Sequence, residues 1–189
     1  MRLVLILLLA CLGLRAYDRH NLFVGVGIGF IKDIIVPQSP QGKRRFSNRF
    51  IGAWNIQGGY EYKPLRIVGV RAYLQSVMGI APSGLGTSIT TQLSVNTDVL
   101  FNFFHQKEKA FGVYGGIGFG YTQKQELVVQ NNGNNAKTAY GLFLFNVGLE
   151  AAIDDNNHVQ LGVKIPAFTA PRRASPVPLD VMLSYNYSF

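Results

Sequence analysis

Large apolar side chains recur at every second position in about eight separate stretches of this chain. That spacing puts them together on one face of a β-strand, where a helix would need a period near 3.6. In Leu22-Phe23-Val24-Gly25-Val26-Gly27-Ile28-Gly29-Phe30 the even positions are all large and apolar, and Gly25, Gly27 and Gly29 form the opposite face. One face of such a strand is greasy and the other nearly bare.

The pattern repeats with the same sense. About 49–62, Phe50, Trp54, Ile56, Tyr60 and Tyr62 oppose Asn55, Gln57, Gly59 and Glu61; about 66–78, Val68, Val70, Ala72, Leu74 and Met78 oppose Arg71, Tyr73 and Gln75. About 91–104, Leu93, Val95, Val99, Phe101 and Phe103 oppose Ser94, Asn96, Asp98 and Asn102. About 110–122, Phe111, Val113, Ile117, Phe119 and Tyr121 oppose Tyr114 and four glycines; about 139–153, Phe143, Phe145, Val147, Leu149 and Ile153 oppose Asn146, Gly148 and Glu150. Val159, Leu161, Val163 and Ile165 then oppose Gln160, Gly162 and Lys164, and Leu179, Val181, Leu183, Tyr185, Tyr187 and Phe189 oppose Asp180, Ser184, Asn186 and Ser188.

A soluble β-barrel or sandwich would turn its large side chains inward, but about eight strands cannot close around this many aromatics. The small and polar faces must therefore line the interior. The fold expected is all-β: a transmembrane antiparallel β-barrel of about eight strands, apolar outside and polar inside. Beyond the first sixteen residues no apolar run reaches the roughly 18–20 residues a membrane helix needs, so any span is built from strands.

Residues 1–16 carry Arg2, then an apolar run over 3–14, then Ala16, in the order of a secretory signal peptide. The expected organisation is a signal peptide at 1–16, cleaved after Ala16, and an outer-membrane barrel over 17–189. Leu8-Leu9-Ala10-Cys11 leaves a lipoprotein-type processing site at Cys11 as the alternative. Cys11 is the one cysteine, so a chain beginning near Tyr17 forms no disulfide. Removal of 1–16 leaves sixteen basic against ten acidic residues, a formal +6. Export argues that this charge meets envelope anions and not nucleic acid.

Connections also alternate in length. Those at 63–66, 105–109 and 154–157 are short, whereas those near 33–47, 79–90, 123–138 and 166–177 are long, the pattern of short periplasmic turns and longer outer loops. An even strand number then puts both termini on the periplasmic side. Aromatic residues near strand ends, Phe23, Tyr60, Tyr62, Phe103, Phe111 and Tyr187 at the short turns and Phe30, Phe50, Tyr121 and Phe168 towards the long loops, mark two interfacial girdles.

Six ionisable residues fall on inward positions: Glu61, Arg71, Asp98, Glu150, Lys164 and Asp180. In a narrow lumen they must pair, and the expected result is a polar network that fills the barrel. A small-solute pore is the alternative. The glycines on inward positions would leave room for Arg71, Tyr73 and Tyr114. The long loops hold Lys43, Arg44, Arg45, Lys124, Lys137, Arg172 and Arg173 with almost no acids, so a basic outer rim would face lipopolysaccharide phosphates. An unidentified host-surface ligand is a further possible partner of those loops.

The glycine runs at 25–29 and 116–120 superficially match dinucleotide-binding loops, but that fingerprint opens a helix and these lie within strands. His20, His105 and His158 fall at strand starts or short turns, away from the outer surface where a lipid A-modifying enzyme would work, and they are isolated in sequence. No enzyme, metal or cofactor is expected.

The ending Leu183-Ser184-Tyr185-Asn186-Tyr187-Ser188-Phe189 resembles the C-terminal assembly signal of outer-membrane barrels. Together with Pro171-Arg172-Arg173-Ala174, Pro178-Leu179 and Asn55-Ile56-Gln57-Gly58-Gly59-Tyr60-Glu61, it resembles the Helicobacter outer-membrane protein family, best in the last strands. The resemblance implies a short, barrel-only, surface-exposed member. It also implies insertion by the outer-membrane assembly machinery, with Tyr185, Tyr187 and Phe189 carrying the recognition signal.

Overall fold

The structure is a computed structural model, and it describes residues 20–34, 49–65, 67–83, 86–106, 109–128, 137–170 and 177–189. The segment 1–16 lies outside them, as do Lys43, Arg44, Arg45, Arg172 and Arg173. Eight strands close into one antiparallel barrel: β1 (His20–Ile34), β2 (Arg49–Leu65), β3 (Val68–Ser83), β4 (Gly86–Gln106), β5 (Lys109–Val128), β6 (Lys137–Ala152), β7 (Asn157–Ala170) and β8 (Val177–Ser188). Each strand pairs with its sequence neighbours, and β1 pairs with β8 to close the wall. No described helix is long and apolar enough to cross a membrane.

The alternation read from the sequence sets the faces. Ile28 is 69% exposed and Phe119 64%, whereas Asp98 is fully buried. The outer surface is a continuous belt of Val, Ile, Leu and aromatic residues, which water would penalise at about 25 cal/mol per Å² and which a bilayer accepts. The shortest strand, β8, has 12 residues. At about 3.3 Å per residue and a tilt near 45° that covers roughly 28 Å, enough for the apolar band of such barrels.

Several expectations need correction. No long connection exists at 79–90: β3 runs to Ser83, β4 starts at Gly86, and these two residues pair directly. Here Ser88, Thr90 and Gln92 are buried inside, and Thr87, Ile89 and Thr91 alternate with them. Both faces are largely polar, so hydrophobic alternation vanishes while the β-branched threonines still favour a strand. For the same reason β5 continues through Gln123 and Gln125 to Val128.

Phe23 is no girdle residue. It takes the inward parity of Gly25 and Gly27, is 3% exposed and packs beside Tyr73. Phe103 and Phe104 both face outward, because the β4–β5 register shifts between Asn102 and Phe104 and so adds one residue to β4. Finally, the interior is not uniformly polar. Towards the 35–48 end Ile31, Ile51, Val77, Ala81 and Met182 pack together inside the wall, and Tyr140, Leu142 and Leu144 form a second inward apolar group on β6.

Candidate functional site

The most elaborate chemistry lies inside the barrel. Arg71 on β3 sits at its centre, where Nη2 donates to Asp98 Oδ2 at 2.9 Å and Nη1 to Glu150 Oε2 at 3.1 Å. Its guanidinium also lies over three rings, 5.7 Å from the centroid of Phe23, 5.1 Å from Tyr73 and 4.8 Å from Tyr114. A planar, always-charged group satisfies two carboxylates edge-on while its faces meet aromatic π-density, which lysine could not do.

Space for this arrangement comes from glycine. A Cβ on Gly148 would lie 2.5 Å from the Tyr114 hydroxyl, and one on Gly162 would collide with the same group. Tyr114 therefore lies across the bare backbone of β6 and β7, against Arg71.

The network spreads from there. Asn146 Nδ2 donates to Asp98 Oδ1 at 2.9 Å, and Lys164 Nζ donates to Asn96 Oδ1 at 2.7 Å, Asn146 Oδ1 at 3.1 Å and the Tyr73 hydroxyl at 3.2 Å. Gln160 donates to Glu150 Oε2 at 2.6 Å, and His158 Nδ1 stands 3.3 Å from Glu150 Oε1. Gln57 donates to Asn186 at 2.6 Å. Further towards the 35–48 end, Gln92 donates to Asp180 Oδ2 at 2.8 Å and accepts from Thr122 at 3.1 Å.

All six inward ionisable residues read from the sequence are buried. Arg71, Asp98 and Glu150 form one cluster; Lys164 rests on neutral oxygens; Asp180 meets Gln92; and Glu61 pairs with Lys63. The alternation already puts Gln57, Asn96 and Asn146 on the inward faces, but not as the links between these charges, and Gln92, which shares the parity of Asp98, lies beyond the stretch where the alternation is visible. The sequence reading put His158 at the short-turn rim, whereas the ring is buried inside that rim. His20, by contrast, stacks on Tyr62 at 4.7 Å and hydrogen-bonds Tyr60 on the outer surface. Among the described residues no group of three or more His, Cys, Asp or Glu side chains could hold a metal ion.

The last strand is tied down at its end. Phe189 N donates to Leu22 O and Ser188 N to Asn156 O, each at 2.8 Å, while Asn156 Nδ2 returns a bond to Ser188 O at 2.7 Å. Asp154 shapes this clip by accepting from the Asn157 side chain and the Asn156 and Asn157 backbone N–H groups at 2.7–2.9 Å. These bonds, the Asn157 side chain first, hold its carboxyl below the usual range. Its contribution is thus present above the unfolded-state value and fades as pH falls through the lower folded value. Asp154→Ala is expected to loosen the β7–β8 end, seen as faster amide exchange at Asn156, Asn157 and Ser188. Unchanged exchange there would count against the clip.

A family model described as Helicobacter outer membrane protein matches residues 41–189, most of the barrel. The chain belongs to the Helicobacter outer membrane protein family. It is therefore an outer-membrane protein, and its barrel is the bacterial outer-membrane kind. No protein with a curated description matches it in sequence.

Solved structures share the fold at low identity. Ail, the attachment invasion locus protein of Yersinia pestis, superposes with a TM-score of 0.52 at 14% identity, covering 92% of this chain and 100% of Ail. Neisserial surface protein A superposes at 0.54 with 10% identity, covering 89% and 97%. The outer membrane enzyme PagL superposes at 0.51 with 13% identity, covering 87% and 98%. Since PagL is an enzyme, the fold alone does not decide for or against catalysis.

Proposed function

We propose that this outer-membrane protein is a sealed structural anchor that presents its long connections at the cell surface. Both termini are periplasmic in this reading, and the connections 35–48, 129–136 and 171–176 face outward. The observation that carries it is the filled lumen: the Arg71–Asp98–Glu150 cluster bars one half and the inward apolar groups bar the other. Purified protein in planar bilayers is expected to give no stepwise conductance. Steady channels that change in Arg71→Ala would favour the pore instead.

Lys43, Arg44, Arg45, Arg172 and Arg173 supply the contacts in this reading, with lipopolysaccharide phosphates as their first partner. A protein of this fold, Ail, has been solved with the heparin analogue sucrose octasulfate, so such a barrel can hold a polyanion. Exposed charge pairs are screened over about 8–10 Å at physiological salt. Binding to lipopolysaccharide in a pull-down is therefore expected to weaken steeply with salt and to fall when Arg172 and Arg173 become Ala. Salt-independent binding that survives both substitutions would contradict this role. Insertion by the assembly machinery through Tyr185, Tyr187 and Phe189 belongs to the same reading, and Phe189→Ala is expected to lower the folded yield in outer membranes.

A further inference from the structure

Arg71 and Lys63 each meet a carboxylate, but every hydrogen bond of Lys164 goes to a neutral oxygen, and two of the three are side-chain amide carbonyls. An amine pressed against an amide carbonyl is a nucleophile beside an electrophile. For Asn146 the backbone itself arranges the meeting. Asn146 on β6 and Lys164 on β7 are direct partners in the ladder, and both side chains are buried on the inward face. Such cross-strand partners start with their Cβ atoms only about 4.5–5.5 Å apart.

The two amides that Lys164 touches differ in what holds their nitrogens. Asn146 Nδ2 donates to Asp98 Oδ1 at 2.9 Å and to Asn96 Oδ1 at 3.2 Å, whereas Asn96 Nδ2 donates to the Ser94 hydroxyl at 3.0 Å. A carboxylate can carry a proton to a departing nitrogen, and a serine hydroxyl, which ionises far from neutral pH, is a poor carrier. Arg71 fixes that carboxylate by donating to its other oxygen, Oδ2, at 2.9 Å. Amine, carbonyl and proton carrier therefore converge on Asn146 and not on Asn96.

The surroundings suit a condensation. A cavity of about 20 Å³ is lined by Asn146 and Lys164 together with Gln57, Gln160, Tyr114 and Asp180. That is room for one molecule of the size of water, and so for the ammonia that such a reaction releases. Asn146 is only 3% exposed, which keeps bulk water from competing with the amine for the carbonyl carbon.

We infer that Lys164 and Asn146 join in an isopeptide bond that staples β6 to β7 inside the barrel. Starting from the lysine ammonium, Nζ gives up two protons and bonds to Cγ of Asn146, and the Cγ–Nδ2 bond breaks. The departing nitrogen takes both protons, relayed by Asp98 Oδ1, and leaves as ammonium, so charge and atoms balance with no outside reactant. Aminolysis of an amide is slow between free molecules. Here the fold holds both groups in contact, which replaces a bimolecular encounter by an intramolecular step. The product also removes one buried charge from the lumen, whose desolvation is costly.

The test compares the intact mass of the full chain refolded from urea into phosphatidylcholine vesicles with that of the same chain kept in urea, a heat-dependent gel shift showing which samples are folded. The folded chain is expected to be lighter by one ammonia and the chain in urea to keep its full mass. Cleavage after Glu150, which separates the two residues in sequence, is expected to release Asn146 and Lys164 in one joined peptide. Folded Lys164→Arg and Asn146→Ala are expected to keep their full mass, and folded Asp98→Asn to form the bond far more slowly. Full mass in the folded natural chain, a joined peptide running through Asn96, or the same loss of ammonia in Lys164→Arg overturns the bond. A bond formed at an unchanged rate in folded Asp98→Asn overturns the relay.

Discussion

Replacing Arg71 with Met should cost the barrel about 3–5 kcal/mol, because it strands Asp98 and Glu150 as buried carboxylates without a counter-charge. Unfolding by urea in lipid vesicles, followed through the single Trp54, gives the number. The triple variant Arg71→Met, Asp98→Asn, Glu150→Gln should recover most of the loss, since it removes the charges together with their partner. A loss shared equally by the single and triple variants would mean that Arg71 acts through its packing on Phe23, Tyr73 and Tyr114 instead.

Gly148→Val should destabilise by about 1–3 kcal/mol, the usual range for overpacking a filled interior. The new Cβ would collide with the Leu161 carbonyl oxygen and meet the Tyr114 Cζ and hydroxyl at 2.5 Å, and that ring cannot retreat without leaving the Arg71 guanidinium. Tyr114→Ala should relieve the ring's share of the clash and leave only the Leu161 carbonyl, so the double variant should lose less stability than the two singles added together. Strict additivity would show that Tyr114 already has somewhere else to go. Gly115→Val, one strand away with nothing nearer than Asn146 O at 3.9 Å, serves as the tolerant control.

Much of this interior was legible in the sequence because a barrel of eight strands has few choices. Parity alone assigns Asp98 to the inside once Val95 and Val99 are placed outside, and it carries Glu61, Arg71, Glu150, Lys164 and Asp180 with it. Which of them pair was not legible. Strand tilt and barrel closure decide that Arg71 meets Glu150, 79 positions away, and leave Glu61 to Lys63. The β4 extension escaped notice because polar residues occupy both faces above the lipid, so the period-two signal has no contrast there. Phe23 was misplaced by composition: an aromatic near a strand end reads as a girdle residue, yet its odd position already put it with Gly25 and Gly27 inside.

Nitroxide labels placed one at a time along β4 from Leu93 to Val99 address the inside-out arrangement most directly, through their relaxation by membrane-dissolved oxygen. The expected result is high oxygen accessibility at Leu93, Val95, Thr97 and Val99 and low accessibility at Ser94, Asn96 and Asp98. The opposite phase, or no alternation along the strand, would contradict a lipid-facing apolar surface around a filled polar lumen.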